Sequence, residues 1–144
     1  MLHAKSTALE VIQALNADLT DKTVLITRGT AGIGLETACA LATMHAHVII
    51  TGRDMVKKSV CSFAEEYIKR NLSLHILICN AGVFPSIRRL TKGGFEYNWG
   101  ITYLSHFLLA QLLLPVLKRN QSSRIVVVSS LANHCAGIDF DDWN

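Results

Sequence analysis

The sequence predicts an α/β fold: a doubly wound parallel sheet of about four strands with helices on both faces. Three observations carry that prediction. Apolar, β-branched runs alternate along the chain with stretches of helical periodicity, so strand follows helix follows strand. Within each strand run the apolar residues are continuous rather than alternating, the pattern of strands covered on both faces. Each run also ends in small or polar residues: Thr27-Arg28-Gly29, Thr51-Gly52-Arg53, Asn80-Ala81-Gly82 and Ser129-Ser130. In a parallel sheet those ends collect along one edge, where ligands bind.

Taken in order, Ala8, Leu9, Ile12 and Leu15 predict a short amphipathic helix with Ser6 or Thr7 as its N-cap. Residues 1–21 read as this helix and a polar lead-in, and residues 22–144 as the domain proper. The first strand, 23–27, halts at glycine. From Gly32 to Met44 the apolar residues Leu35, Ala38, Cys39, Leu41 and Ala42 recur at helical spacing. The stretch from Lys22 to Gly34 is therefore strand, tight turn, helix. Such a turn places the first N–H groups of a helix, and the positive end of its dipole, at the end of a buried strand where they can hold a pyrophosphate. The glycine spacing departs from G-x-G-x-x-G, so a merely tight strand–helix turn is the other reading.

A second strand follows at 45–51. A strand after a helix after a strand is a right-handed parallel crossover, so the two strands are neighbours. Arg53, just beyond, stands where an acidic residue would hold a ribose 2′-hydroxyl. An arginine there suits a 2′-phosphate and points to NADP rather than NAD, the other reading being a surface arginine. Val60, Phe63, Ala64, Tyr67 and Ile68 place a helix within 55–71. A buried strand at 74–79, a loop at 85–94, a long helix at 95–119 and a fourth buried strand at 124–129 complete the pattern. Residues 131–144 have no clear periodicity.

Composition sets bounds. The 144 residues suit one domain; half are hydrophobic and 17% charged, with a mean hydropathy of +0.31. Such a chain either buries an unusually continuous core or exposes apolar surface. The net charge of +3 comes from scattered Lys and Arg, which does not point to nucleic acid; Arg88-Arg89 reads as a solvated loop or a small basic patch. Cys39, Cys61, Cys79 and Cys135 show no metal spacing, and no metal site is expected. Cys39 and Cys79 lie in apolar runs and read as buried thiols in a reducing, cytoplasmic setting. The first residues lack the apolar core of a signal peptide. The longest apolar stretch, Phe107 to Leu117, is too short to span a bilayer, so no transmembrane segment is expected. His106 and His134 read as helix-surface and loop histidines.

T-R-G-T-A-G-I-G at 27–34, N-A-G at 80–82 and V-V-S-S at 127–130, in this order on this pattern of elements, resemble the short-chain dehydrogenase/reductases. S-T-A-L-E-V-I-Q, L-H-I-L-I-C-N-A-G and S-S-L-A-N-H are similar to the retinol dehydrogenase-like members and to the oxidoreductase domain of members that also carry WW domains. The resemblance covers nearly the whole chain. It implies a Rossmann-like fold, truncated here, with a dinucleotide-binding domain at 22–144, and an oxidoreductase that moves hydride between a nicotinamide cofactor and a carbonyl or alcohol. Carried over by position, Thr27, Gly32, Ile33 and Gly34 fall on the cofactor turn, with Arg28 and Gly29 between them. Asn80, Ala81 and Gly82 fall on the motif beside the adenine and ribose, and Ser130 falls on the serine that hydrogen-bonds the substrate. Arg53 favours NADP over NAD.

The chain also departs from that family. Arg28 replaces the first glycine of the cofactor turn. Between Gly52 and Leu74 there is room for one helix where the family fits helix, strand and helix. Thr102 stands where the family has an asparagine that supports the proton relay. None of Tyr67, Tyr97 and Tyr103 begins a Y-x-x-x-K, the pair that supplies the general acid/base. Impaired hydride chemistry is the expectation. The alternative is a non-catalytic splice form or fragment that acts by binding, through self-association or by pairing with a full-length relative.

Overall fold

The computed structural model describes residues 3, 6–52, 59–84, 87–134 and 141. Four parallel strands, β1 (Thr23–Ile26), β2 (His47–Ile50), β3 (Ile76–Cys79) and β4 (Arg124–Val127), form one sheet in the order β2-β1-β3-β4. Leu25 pairs with Ile49 on one side and Leu77 on the other. The chain leaves β1 toward β2 and returns to β3 on β1's opposite flank, so the strand order reverses between β1 and β3. Their carboxyl ends flank the crevice where such sheets bind ligands.

Alternate residues of the central strands face opposite layers. Val24, Ile26 and Ile78 form one core with Ala38 of helix α2 (Gly32–Thr43). Leu25, Leu77 and Cys79 form the other with Ala64 and Tyr67 of α3 (Val60–Lys69) and with Leu109, Leu113, Val116 and Leu117 of α4 (Tyr97–Arg119). Helices thus cover both faces, as expected. Helix α1 (Ala8–Leu15) packs on α2 and has no buried residue of its own. It is started by Thr7, whose hydroxyl accepts from Glu10 N while Glu10 Oε2 accepts from Thr7 N at 2.7 Å.

Helix α4 opens with Glu96, whose carboxylate accepts from Asn98 N and Trp99 N at 2.9 and 2.7 Å. It passes through a π-turn at Gly100–Leu104 before continuing as α-helix over Ser105–Arg119. Its 23 residues make it longer than the apolar stretch legible in sequence, and by length and composition alone it passes as a membrane span. Its Leu109, Leu113, Val116 and Leu117 lie in the core beside the sheet.

Two expected burials are corrected. β4 is not a buried strand: Ile125, Val126 and Val127 are 44%, 43% and 67% exposed. It pairs with β3 alone among the described residues, so it is an edge, and continuous hydrophobicity does not supply the missing neighbours. Cys39 is exposed on α2, because the helix turns Gly34, Ala38 and Ala40 inward instead; Cys79 is buried as expected.

Candidate functional site

The site grows from the last residue of the β1 run. Thr27 is 6% exposed, and its hydroxyl oxygen accepts from Asn80 N and Ala81 N, both at 2.9 Å. The same oxygen lies 2.9 Å from His106 Nε2. His106 Nδ1 lies 2.9 Å from the Thr102 carbonyl, which can only accept. Nδ1 therefore carries the imidazole proton, Nε2 is the acceptor, and the Thr27 hydroxyl donates to it. One hydroxyl so uses its donor and both lone pairs, tying β1, the turn after β3 and α4 together. Burial pushes the His106 pKa below its ordinary value, against the opposing pull of the Thr102 carbonyl, which keeps the ring neutral.

Asn80 completes the link from the other side. Its Nδ2 donates to the Thr27 and Arg28 carbonyls at 3.0 and 3.2 Å. A Cβ at Gly34 would collide with the Arg28 carbonyl and with Asn80 Nδ2, so α2 can start this close to the strand only with glycine there. Gly32 has φ +56 and opens onto free space, and the helix's N-cap, Ala31, makes no side-chain cap bond. The turn thus leaves the first N–H groups of α2 on an open surface at Gly32. That surface fits an anionic cofactor phosphate. Gly29 packs on Ile50 and donates to the Thr51 carbonyl at 2.9 Å, and Ile33 is exposed at the mouth of the turn.

Arg28 holds the left-handed conformation, φ 55, that glycine occupies without cost. Its backbone N–H donates to Thr51 Oγ1 at 3.3 Å, and its guanidinium crosses the crevice to donate to the Gly82 carbonyl. Beneath it lies a cavity of about 540 Å³ that reaches from Thr27, Arg28 and Gly82 to apolar walls at Val60, Phe63 and Leu109. At its rim the Arg89 guanidinium stacks over the Tyr97 ring, 3.6 Å from the centroid.

The structure therefore brings together Thr27, Arg28, Gly29, Gly32, Ile33, Gly34, Asn80, Ala81 and Gly82 at the β1–β3 crevice. Ser130 is not among the cavity's lining; it is exposed beyond β4, and its hydroxyl accepts from Ala132 N at 3.2 Å. Arg53 lies outside the described residues. Thr102 is exposed and donates to Asn98 Oδ1 at 2.7 Å. His106 is not a surface residue, as its sequence context implied, but 7% exposed. Its partner Thr27 is 79 positions away, beyond any local spacing rule. Arg89, read as loop, proves to line the cavity. Of the tyrosines, Tyr67 donates to the Ser73 carbonyl at 2.7 Å, and burial pushes its pKa up to about 12. Tyr103 stacks on Trp99, with ring centroids 4.3 Å apart.

Comparison with known proteins finds relatives in sequence and in fold. The family profile described as short chain dehydrogenase matches residues 53–140. The chain is 37% identical over 152 residues to WW domain-containing oxidoreductase of Gallus gallus, covering 87% of this chain and 36% of that protein. It is 38% identical over 154 residues to human retinol dehydrogenase 12, covering 88% of this chain and 49% of that protein. The chain spans less than half the length of these relatives. Among solved structures, an uncharacterised protein from Mycobacterium paratuberculosis superposes with a TM-score of 0.68 at 30% identity, covering 81% of this chain and 49% of that one. A short chain dehydrogenase from Shigella flexneri 2a str. 301 superposes with a TM-score of 0.64 at 21% identity, over 81% of this chain and 65% of that one, a likeness of fold.

Proposed function

Because the chain belongs to the short-chain dehydrogenase family, we propose that it binds a nicotinamide nucleotide at the β1–β3 crevice, as the nucleotide-holding part of an NAD(P)-dependent oxidoreductase domain. The observation that carries this reading is the Thr27–Asn80–Gly34 lock, which holds a glycine-lined helix N-terminus open at the strand switch point. A bound nicotinamide supplies or accepts the hydride in the family reaction. What these residues do is hold it: Gly32 and Ile33 face the phosphates with backbone N–H groups, Arg28 adds a cation, and Ala81 and Gly82 border the nucleoside. Arg53, by its place after β2, supports NADP over NAD. Ser130 is the residue proposed to hydrogen-bond a carbonyl or alcohol substrate.

The proton-transfer half is not supplied by the tyrosines present. Tyr67 is held protonated in the core, Tyr97 lies under Arg89, and Tyr103 is stacked on Trp99. Hydride transfer by these 144 residues alone is therefore expected to be slow or absent. Thermal melting with saturating NADPH and NADH tests the reading, with a rise in Tm expected and larger for NADPH. No shift with either nucleotide would sink it. A second reading, a non-catalytic protein that self-associates, is favoured by the exposed apolar β4. Sedimentation at rising concentration tests it, and a clean monomer throughout counts against it.

A further inference from the structure

Arg28, within the cofactor turn, sends its side chain across the crevice it borders. In a doubly wound sheet an extended dinucleotide lies across the carboxyl edge at the switch point. Here the Arg28 side chain leaves the end of β1 and its guanidinium lands on the Gly82 carbonyl, beyond the end of β3. The side chain itself thus spans the crevice in which such sheets hold dinucleotides.

Three further observations fix what this does. The Arg28 backbone is pinned: its N–H donates to Thr51 Oγ1, its carbonyl accepts from Asn80 Nδ2, and Gly34 packs against that carbonyl. The cavity lies on the α3–α4 side of the bridge, with Val60, Phe63 and Leu109 as apolar walls suited to a base, and among the described residues none after Leu109 lines it. It does not reach the β4 end where Ser130 stands. A guanidinium also carries more N–H donors than one carbonyl can use, and it binds phosphate oxygens more strongly than a neutral carbonyl.

We propose that Arg28 makes this crevice select a nucleoside diphosphate over an intact nicotinamide dinucleotide. The nucleoside fills the cavity, and the diphosphate lies between the glycine turn and the Arg28 guanidinium, which stays beside Gly82. A dinucleotide carries a second nucleoside past that point and has to break the Arg28–Gly82 contact. The proposal rests on the reading that the glycine turn holds phosphates, and it adds which phosphate ester fits.

Calorimetric titration of the full chain with ADP and with NADH tests it, since neither carries a 2′-phosphate and the pair isolates the second nucleoside. Wild type is expected to bind ADP about tenfold more tightly than NADH, the equivalent of one hydrogen bond that must be broken. Arg28→Gly folds, because glycine suits the +55° φ at this position. It is expected to tighten NADH and weaken ADP, reversing the preference. Arg28→Asn, which also tolerates left-handed backbone, is expected to follow Arg28→Gly. An ADP to NADH ratio near one in wild type, or a ratio unchanged in both variants, overturns the proposal while leaving nucleotide binding intact. A change in Arg28→Gly alone assigns the effect to the backbone and likewise overturns it. No binding of either nucleotide to any of the three proteins overturns both the proposal and the phosphate reading beneath it.

Discussion

Strands β1 and β4 are built from much the same material and meet different fates. T-V-L-I and R-I-V-V are both short runs rich in β-branched residues, and a hydroxyl residue, Thr27 or Ser129, stands within two positions of each end. β1 has a strand on each side and a helix layer on each face, and Val24, Leu25 and Ile26 are fully buried. β4 has β3 on one side, and its apolar side chains face solvent. The difference carries over to chemistry. The Thr27 hydroxyl, at the end of β1, is hydrogen-bonded to Asn80, Ala81 and His106, whereas Ser130, beyond β4, contacts only its own loop among the described residues. A sequence run specifies extended backbone; neighbours specify whether its end becomes a positioned group.

The comparison breaks first in the core. Leu25→Ala removes a fully buried side chain from between α3, α4 and the sheet. It is expected to cost about 2–5 kcal/mol, enough to unfold much of a marginal domain. Urea denaturation followed by circular dichroism measures it, and a loss well under 1 kcal/mol means that the β1 layer is not the centre of the fold. Next comes the lock at the strand end. Thr27→Val keeps the shape but strips the oxygen from two N–H groups and from His106 Nε2, with an expected loss of about 1–3 kcal/mol. It should also abolish the Tm response to NADPH, because the lock sets the turn that faces the phosphates.

The same histidine predicts a pH dependence. Burial lowers the folded pKa of His106, and burial with the Lys22 charge lowers that of His75, whose Nδ1 accepts from Thr23 N at 2.9 Å. Once unfolded, each takes a proton near its ordinary value of 6.5. Below that pH the unfolded chain binds more protons than the folded one, so stability is complete above about pH 6.5 and falls as pH drops toward the folded pKa values. Denaturation midpoints at pH 7.5 and 5.5 test the sign. His106→Phe is expected to flatten the slope without removing it, since His75 remains. A slope of the opposite sign means that His106 is charged in the folded state and that the proton assignment at Thr27 is reversed.

What was legible in the sequence follows the same division. The strands, the crossover helices, their order and the glycine turn were all visible, because each depends on local periodicity, on backbone freedom at Gly32 and on the missing Cβ at Gly34. The Thr27–His106 bond was not, because it joins the end of a strand to a helix through the fold, and His106 sits among residues that look like a helix surface. Nor was the reach of Arg28. The sequence shows a cation replacing a glycine, but only the geometry shows its guanidinium on Gly82. Burial of β4 was misjudged for a related reason: hydrophobicity is a property of the run, and coverage is a property of what packs on it.

The smallest expected effect is the sharpest test of that last point. Val127→Ala in β4 removes the same kind of methyl groups as a core truncation, but from a side chain that is 67% exposed. No cavity forms, little transfer free energy is lost, and the strand keeps its pairing with Cys79. Stability is expected to change by no more than about 0.5 kcal/mol. A loss of 2 kcal/mol or more, at a protein concentration where sedimentation shows self-association, means that a second copy covers β4 and that the strand is buried in the assembly. The same loss in a sample that sediments as a monomer means that β4 is covered within the chain itself. The contrast between β1 and β4 then disappears, and Ser130 regains the packed surroundings that a positioned hydroxyl requires.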